Sequence, residues 1–336
     1  MNIKKLFTIT LLITASISTG FSQDKLAQTG MKFLLVSLDA RVAAMGDAVT
    51  ALEGNSSSVF FNPAGMARLN KTVDVTVTQL KWIADINYYG GAVAFAPFDG
   101  TYGVAAISFM YVDYGDFYAT IRAPQNDLGY IDIGTFKPNA FSFGISYAKA
   151  LNDKFSIGGN IRYASQNLDA SVTATDPLNG NYTQKNYVPS SVVFDFGMLY
   201  HTGIKSLDFG MSVRNFSKEI KLEQEGYQLP LIFQLGFAFN LSDVLNLDKN
   251  EHSIQLALDA NHPRDFSEQI MVGVDYTFMK IVSLRVGMST PNDEHEFTFG
   301  LGVKQTFDKM DLGIDYAYIP WTTFSAVHKF SLHFSL

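Results

Sequence analysis

From Thr72 to the C-terminus, apolar and polar positions alternate with a period of two. Phe155, Ile157, Ile161 and Tyr163 alternate with Ser156, Gly158, Asn160 and Arg162, and Phe194, Phe196, Met198 and Tyr200 with Asp195, Gly197 and His201. The pattern recurs at 207–214, 272–278 and 297–304, where one face is apolar and the other polar or Gly. Period two places successive side chains on opposite faces of a strand. About fourteen strands are predicted, at 72–80, 86–97, 101–113, 138–150, 154–166, 190–202, 206–216, 229–241, 252–262, 268–279, 281–289, 295–306, 309–318 and 326–336. The third, Tyr102 to Tyr111, alternates too weakly to be assigned a phase.

Two architectures accommodate such a chain. A soluble sandwich alternates as well, but rarely carries so many aromatics on one face through so many consecutive strands. A closed sheet in lipid needs an apolar outside and a polar inside, with strands of roughly 9–11 residues. Connection lengths favour the latter. Turns at 98–100, 151–153, 203–205, 280 and 308 are short, whereas Tyr114–Lys137, Asn167–Pro189 and Ser217–Gln228 are long and all follow odd strands. Short turns at one end and long loops at the other are the barrel habit. Ser242–Glu251 is the exception, a longer segment at the short-turn end. The last strand alternates Phe330, Leu332, Phe334 and Leu336 with Lys329, Ser331, His333 and Ser335, and it ends at the terminus. Such an amphipathic terminal strand resembles the recognition strand of barrels inserted by the outer-membrane assembly machinery. Trp82, Tyr88, Tyr111, Tyr114, Tyr318 and Trp321 fall near strand ends, where interfacial aromatics are expected.

Composition sharpens this picture. Charged residues make up only 17% and aromatics 14%, yet past residue 23 no apolar run approaches the roughly 20 residues of a spanning helix. Met1–Gln23 carries Lys4 and Lys5, then an apolar stretch over 6–17, then Gly20-Phe21-Ser22, and is expected to be a secretory signal peptide over residues 1–22. Losing those two lysines takes the formal charge from −7 to −9. There is no basic stripe, so nucleic acid is not an expected partner. The absence of Cys excludes disulfides, thiol nucleophiles and Cys-ligated metals.

Ser37–Leu69 departs from the strand pattern. It is rich in Ala and Gly (Ala43, Ala44, Gly46) and closes with Phe60-Phe61-Asn62-Pro63-Ala64-Gly65. Asn, then Pro, with Gly in the fourth place, fits a type I turn. Together, MKFL…DARVAAMGDA…SSSVFFNPAGMA resembles the start of the PorV/PorQ family of outer-membrane proteins, itself similar to FadL-like barrels. The resemblance is densest over Met31–Leu69 and continues as a strand pattern to Leu336. It implies an all-β chain: a transmembrane antiparallel β-barrel over 72–336 and an N-terminal hatch or plug over 23–71. It also implies a non-enzymatic role in type IX secretion, in the outer membrane of a Bacteroidota-like bacterium. Implied partners are outer-membrane lipid, cargo carrying a C-terminal secretion domain, and other secretion components. The alternative is FadL-like uptake of hydrophobic solutes. In the hatch, Asn62, Pro63, Ala64 and Gly65 are expected to form the turn, with Phe60 and Phe61 beside it. Ala43, Ala44 and Gly46 are expected against the wall.

No catalytic constellation, metal set or cofactor motif stands out. The six His are scattered, and Asp293-Glu294-His295-Glu296 lacks the length and Gly of a calcium loop. Strand parity instead directs Arg162, Asp195, Asp208, Arg214, Asp259, Asp275, Arg285 and Asp315 inward, paired across strands or against the hatch as salt bridges locking plug to wall, the functional alternative being a solute path. Glycines including Gly158, Gly197, Gly210, Gly273, Gly287 and Gly300 recur on the same face and imply close backbone approach. This phase predicts that Arg at Phe299 is costly and that Arg at Thr298, facing a polar lumen, is mild.

Overall fold

The computed structural model of the chain describes residues 29–175, 181–245, 247–248 and 250–336. The expected signal peptide lies outside the described residues.

Fourteen strands form the wall. They are β1 (Val73–Lys81), β2 (Asn87–Phe95), β3 (Val104–Asp113), β4 (Asn139–Ala150), β5 (Phe155–Asn167), β6 (Ser190–His201) and β7 (Asp208–Ser217), then β8 (Ile232–Asn240), β9 (His252–Pro263), β10 (Gln269–Phe278), β11 (Val282–Thr290), β12 (Phe297–Phe307), β13 (Met310–Ile319) and β14 (Val327–Ser335). Each pairs antiparallel with its neighbours in chain order, and β14 returns to β1, with Val75 opposite Phe334 and Leu80 opposite Lys329. Val73 and Leu336 exchange backbone hydrogen bonds of 2.9 and 2.8 Å, so the last residue is built into the seam. An up-and-down sheet whose first and last strands meet antiparallel must have an even strand number, and closure removes both sheet edges.

Alternation sets which face is which. Outward positions such as Ile107, Ile145, Leu284, Leu301, Ile314 and Leu332 are roughly half exposed, while inward Ser108, Ser146, Ser283, Gly302, Asp315 and Ser331 face the lumen. The third strand acquires its phase here: Val104, Ala106, Ser108, Met110 and Val112 turn inward and Ile107 and Phe109 outward. Its sequence was ambiguous because its inward positions are themselves largely apolar, being covered by the N-terminal segment rather than by water.

The long connections are more ordered than loops. Phe117–Arg122 pairs with Tyr130–Phe136, Ala170–Thr175 with Tyr182–Asn186, and Ile220–Leu222 with Glu225–Tyr227, each a separate two-stranded hairpin. At the opposite end, the longer Ser242–Glu251 connection carries a helical turn, Ser242–Leu245, started by Asn240 Oδ1 on the Ser242 amide at 3.0 Å.

Several aromatics read as interfacial are elsewhere. Tyr88 is 3% exposed inside the lumen, and Trp82, Tyr114 and Trp321 pack against the same internal cluster; only Tyr111 and Tyr318 of the six lie on the outward face of their strands. Position near a strand end was legible, but the side of the wall was decided by what fills the barrel.

Candidate functional site: the filled lumen and its rim

The segment 29–70 runs through the lumen from the long-loop end to the short-turn end. It begins with Met31, Phe33, Leu34 and Leu38, which pack with the wall residues Leu80, Tyr88, Val112, Val193, Ile319 and Val327 into an apolar collar. Burying several large aliphatic side chains here contributes roughly 1.5–3 kcal/mol each. A short helix, α1 (Ala40–Ala44), follows, its first turn capped by Asp39 accepting from the Val42 amide at 3.2 Å.

Below the collar the wall holds this segment by its backbone. Ser331 Oγ accepts from the Ala40 amide (2.9 Å), and Thr298 Oγ1 accepts from Gly46 N and donates to Ala44 O (both 3.1 Å). One oxygen of Asp259 accepts from the amides of Val49 and Thr50 at 3.0 and 2.9 Å. Asp74 accepts from the Ser56 amide at 2.7 Å, Asn160 donates to Val59 O at 3.2 Å, and Arg214 donates to Phe60 O at 2.9 Å. An irregular segment cannot satisfy its own amides and carbonyls, so the polar wall does it.

Glycines in the wall make the approach possible. A Cβ on Gly158 would lie 2.5 Å from Ala64 N, and one on Gly273 would lie 2.6 Å from Met45 O. Ala44 lies against Gly300 and Gly46 against Gly287, whereas Ala43 sits in the apolar cluster instead. Gly46 itself has φ +62°, where a side chain is strained as well as obstructed.

Asn62, Pro63, Ala64 and Gly65 form the first turn of a 3-10 helix, Pro63–Met66, rather than an isolated turn. Gly65 N bonds Asn62 O at 2.9 Å, and Asn62 Oδ1 accepts from the Ala64 amide at 3.1 Å. Its Nδ2 donates to Thr50 O at 2.7 Å and to Met198 O of β6 at 3.1 Å, joining two parts of the segment to the wall. Phe60 and Phe61 meet edge-to-face at 6.5 Å, with the Arg214 guanidinium over Phe61.

The eight charges separate into groups. Arg162 grips Asp195 with two bonds, Nε to Oδ2 at 2.8 Å and Nη2 to Oδ1 at 2.7 Å, and Asn160 and the Asn215 amide complete the carboxylate. The β6–β7 register slips between Phe194 and Phe196, at Asp195, so this cluster closes a bulge. Losing one partner of so buried a pair costs about 3–5 kcal/mol. Asp275, Arg285 and Asp315 form a chain across β10, β11 and β13. It extends to the N-terminal segment through Arg41 (3.3 Å from Asp275) and to His333 (3.0 Å from Asp315), itself 3.7 Å from Asp39. Asp259 and Arg214 bind the segment's backbone directly, as given above. Asp208 is farther down, bonded to His201, which reaches Glu53 of the segment.

The most buried cation among the described residues was not singled out by sequence. Lys329 of β14 is 2% exposed, donates to Ser37 O at 2.7 Å and lies over the Trp82 ring. Its inward parity was visible, but not that a backbone carbonyl would meet it there.

Thr298 corrects the mild-substitution expectation. It does not face water but is 4% exposed and bonded both ways to the segment. Among the described residues, chambers of about 310 and 250 Å³ lie toward the short-turn end, sharing Arg41, Glu53, Asp275 and Thr277 in their linings.

Comparisons with known proteins agree with this architecture. The model of the family described as type IX secretion system protein PorV matches residues 20–260. No curated protein matches the chain. Among solved structures, the toluene transporter TbuX of Ralstonia pickettii superimposes with a TM-score of 0.58 at 10% identity, covering 90% of this chain and 98% of that one. The toluene transporter TodX of Pseudomonas putida gives 0.54 at 10% identity, covering 88% and 96%. A FadL homologue of Pseudomonas aeruginosa gives 0.53 at 12% identity, covering 89% and 98%. At such identities the likeness shows a shared FadL-like barrel and no more. The family match spans well over half the chain, across the N-terminal segment and into the ninth strand: this outer-membrane β-barrel belongs to the PorV family of type IX secretion proteins.

Proposed function

We propose that the protein serves type IX secretion as a non-enzymatic outer-membrane component. On this reading residues 29–70 are a fixed hatch, and the outer loops engage cargo bearing a C-terminal secretion domain. One observation carries the choice over solute uptake: the lumen is occupied by a segment bonded to β1, β5, β6, β7, β9, β10, β12 and β14. An uptake route for hydrophobic solutes needs an apolar chamber. The larger of the two chambers toward the short-turn end is lined instead by Arg41, Asp74, Asp275, Arg285, Asp311 and Asp315 among others. Meanwhile the hairpin within Tyr114–Lys137 projects Tyr118, Leu128 and Tyr130 into solvent, and Asn167–Pro189 exposes Tyr182 and Val188. Aromatic and polar residues mixed in this way suit protein contact.

The test is deletion of the gene and complementation with the intact chain. Cargo is expected to accumulate in the periplasm of the deletion strain and to return to the surface on complementation. Normal cargo export together with impaired growth on a hydrophobic carbon source would replace the secretion reading with the uptake one.

A further inference from the structure

At the long-loop end, the chain displays the chemistry of a peptide groove by filling part of it with its own segment. Thr29 pairs in parallel with Gln228, just beyond the hairpin Ile220–Tyr227, and Gly30 N donates to Gln228 O at 3.0 Å. Gly30 lies against the Tyr227 ring, where a Cβ would fall 2.2 Å from a ring carbon. Asp265 Oδ2 accepts from the Thr29 hydroxyl at 2.8 Å and pairs with the Lys32 ammonium, which also lies 4.8 Å from the centre of the Phe266 ring. An extended backbone, a glycine, a hydroxyl and a lysine are thus each recognised by a different feature.

The groove continues beyond this segment. A cavity of about 880 Å³ runs from Thr29 and Asp265 along the hairpin, past Tyr187, Glu219 and Glu225. Asp265 borders it and is 1% exposed, and its second oxygen is buried without a hydrogen-bond partner. Glu219 and Glu225 form no ion pair among the described residues, whereas Glu223 is already engaged by Lys185 and Tyr187. Arg264, the one cation in the lining, is held by Leu229 O at 3.0 Å. A buried unpaired carboxylate oxygen is costly to leave unmatched, and two free glutamates beside it set the sign of what matches them. A short exposed hairpin also offers unpaired backbone groups to an added strand.

From these features we infer that the outer hairpin groove docks an extended, lysine-bearing peptide strand by strand addition to the hairpin, with Glu219, Glu225 and Asp265 reading its ammonium groups. This rests on the cargo reading above and names the chemistry that the cargo would present.

The test uses the full-length protein in detergent micelles and a fluorescein-labelled peptide, Lys-Thr-Lys-Thr-Gly-Thr-Lys-Thr-Lys, followed by anisotropy. A second peptide carries Glu at every Lys position. Saturable binding of the lysine peptide alone is expected, weakening as salt rises. The pair of substitutions Glu219→Lys and Glu225→Lys is expected to reduce affinity about tenfold or more, since like charges now face each other. Asp127→Lys, on a different outer hairpin, is expected to leave it unchanged, and heat-shifted mobility in SDS confirms that each variant is folded. Equal binding of both peptides, an unchanged affinity in the double variant, or no saturable binding overturns the groove. Because this assay contains no secretion machinery, its failure is distinct from failure of the gene-deletion experiment.

Discussion

Phe299 and Thr298 are neighbours on β12 with opposite surroundings. Phe299 is 44% exposed on the outward face, and Thr298 is bonded to Gly46 and Ala44 inside. Phe299→Arg is expected to cost about 2–4 kcal/mol, the range for a charge on the lipid face near mid-bilayer. Thr298→Arg is expected to cost at least as much, through a different cause: there is no space for the guanidinium, and two backbone groups lose their partner. Urea unfolding of both variants in vesicles checks this. A silent Thr298→Arg would mean that the segment yields readily, and a silent Phe299→Arg that the phase of β12 is inverted.

At the scale of the element, residues 29–70 form less regular structure than any wall strand, yet determine what the wall can contain. The collar of Met31, Phe33, Leu34 and Leu38 is apolar, while the part from Asp39 to Asn62 is held by hydrogen bonds and ion pairs. Both layers occupy the lumen. Deleting residues 37–60 removes α1, the Asp259 and Arg214 anchors and most of the backbone that covers the wall glycines. The shortened protein is expected to insert and to conduct ions in planar bilayers, because a lumen ringed by polar side chains fills with water once emptied. The intact protein is expected to be nearly silent. Silence from both would place the seal in the outer hairpins, and strong conductance from the intact chain would show that the segment is not a plug.

For the molecule as a whole, stability comes from closure. Every barrel strand is paired on both sides, and the seam residues Val73 and Leu336 are joined in both directions. Lipid supplies no hydrogen bonds, so such a barrel has no partly open state of low energy. It is expected to fractionate with the outer membrane and to migrate faster in SDS before boiling than after. Recovery in the soluble periplasmic fraction would sink the architecture.

The strands, their number, their bounds within a residue or so at most ends, and the lengths of their connections were legible because each depends only on local alternation and turn chemistry. β12 and β14 show this most plainly: both faces can be assigned from the order of residues alone. The order of residues also directed the eight charges inward. What it did not contain was the pairing among them, since Arg162 meets Asp195 across neighbouring strands while Arg285 bridges β10 and β13 from between. The inward faces of β2 and β3 are apolar, and Tyr88 and Lys329 are buried, only because the N-terminal segment lies against them. Period two specifies which residues share a face; what that face touches is decided by contacts between residues as far apart as Ser37 and Lys329, and these exist only once the barrel has closed around its own N-terminal segment.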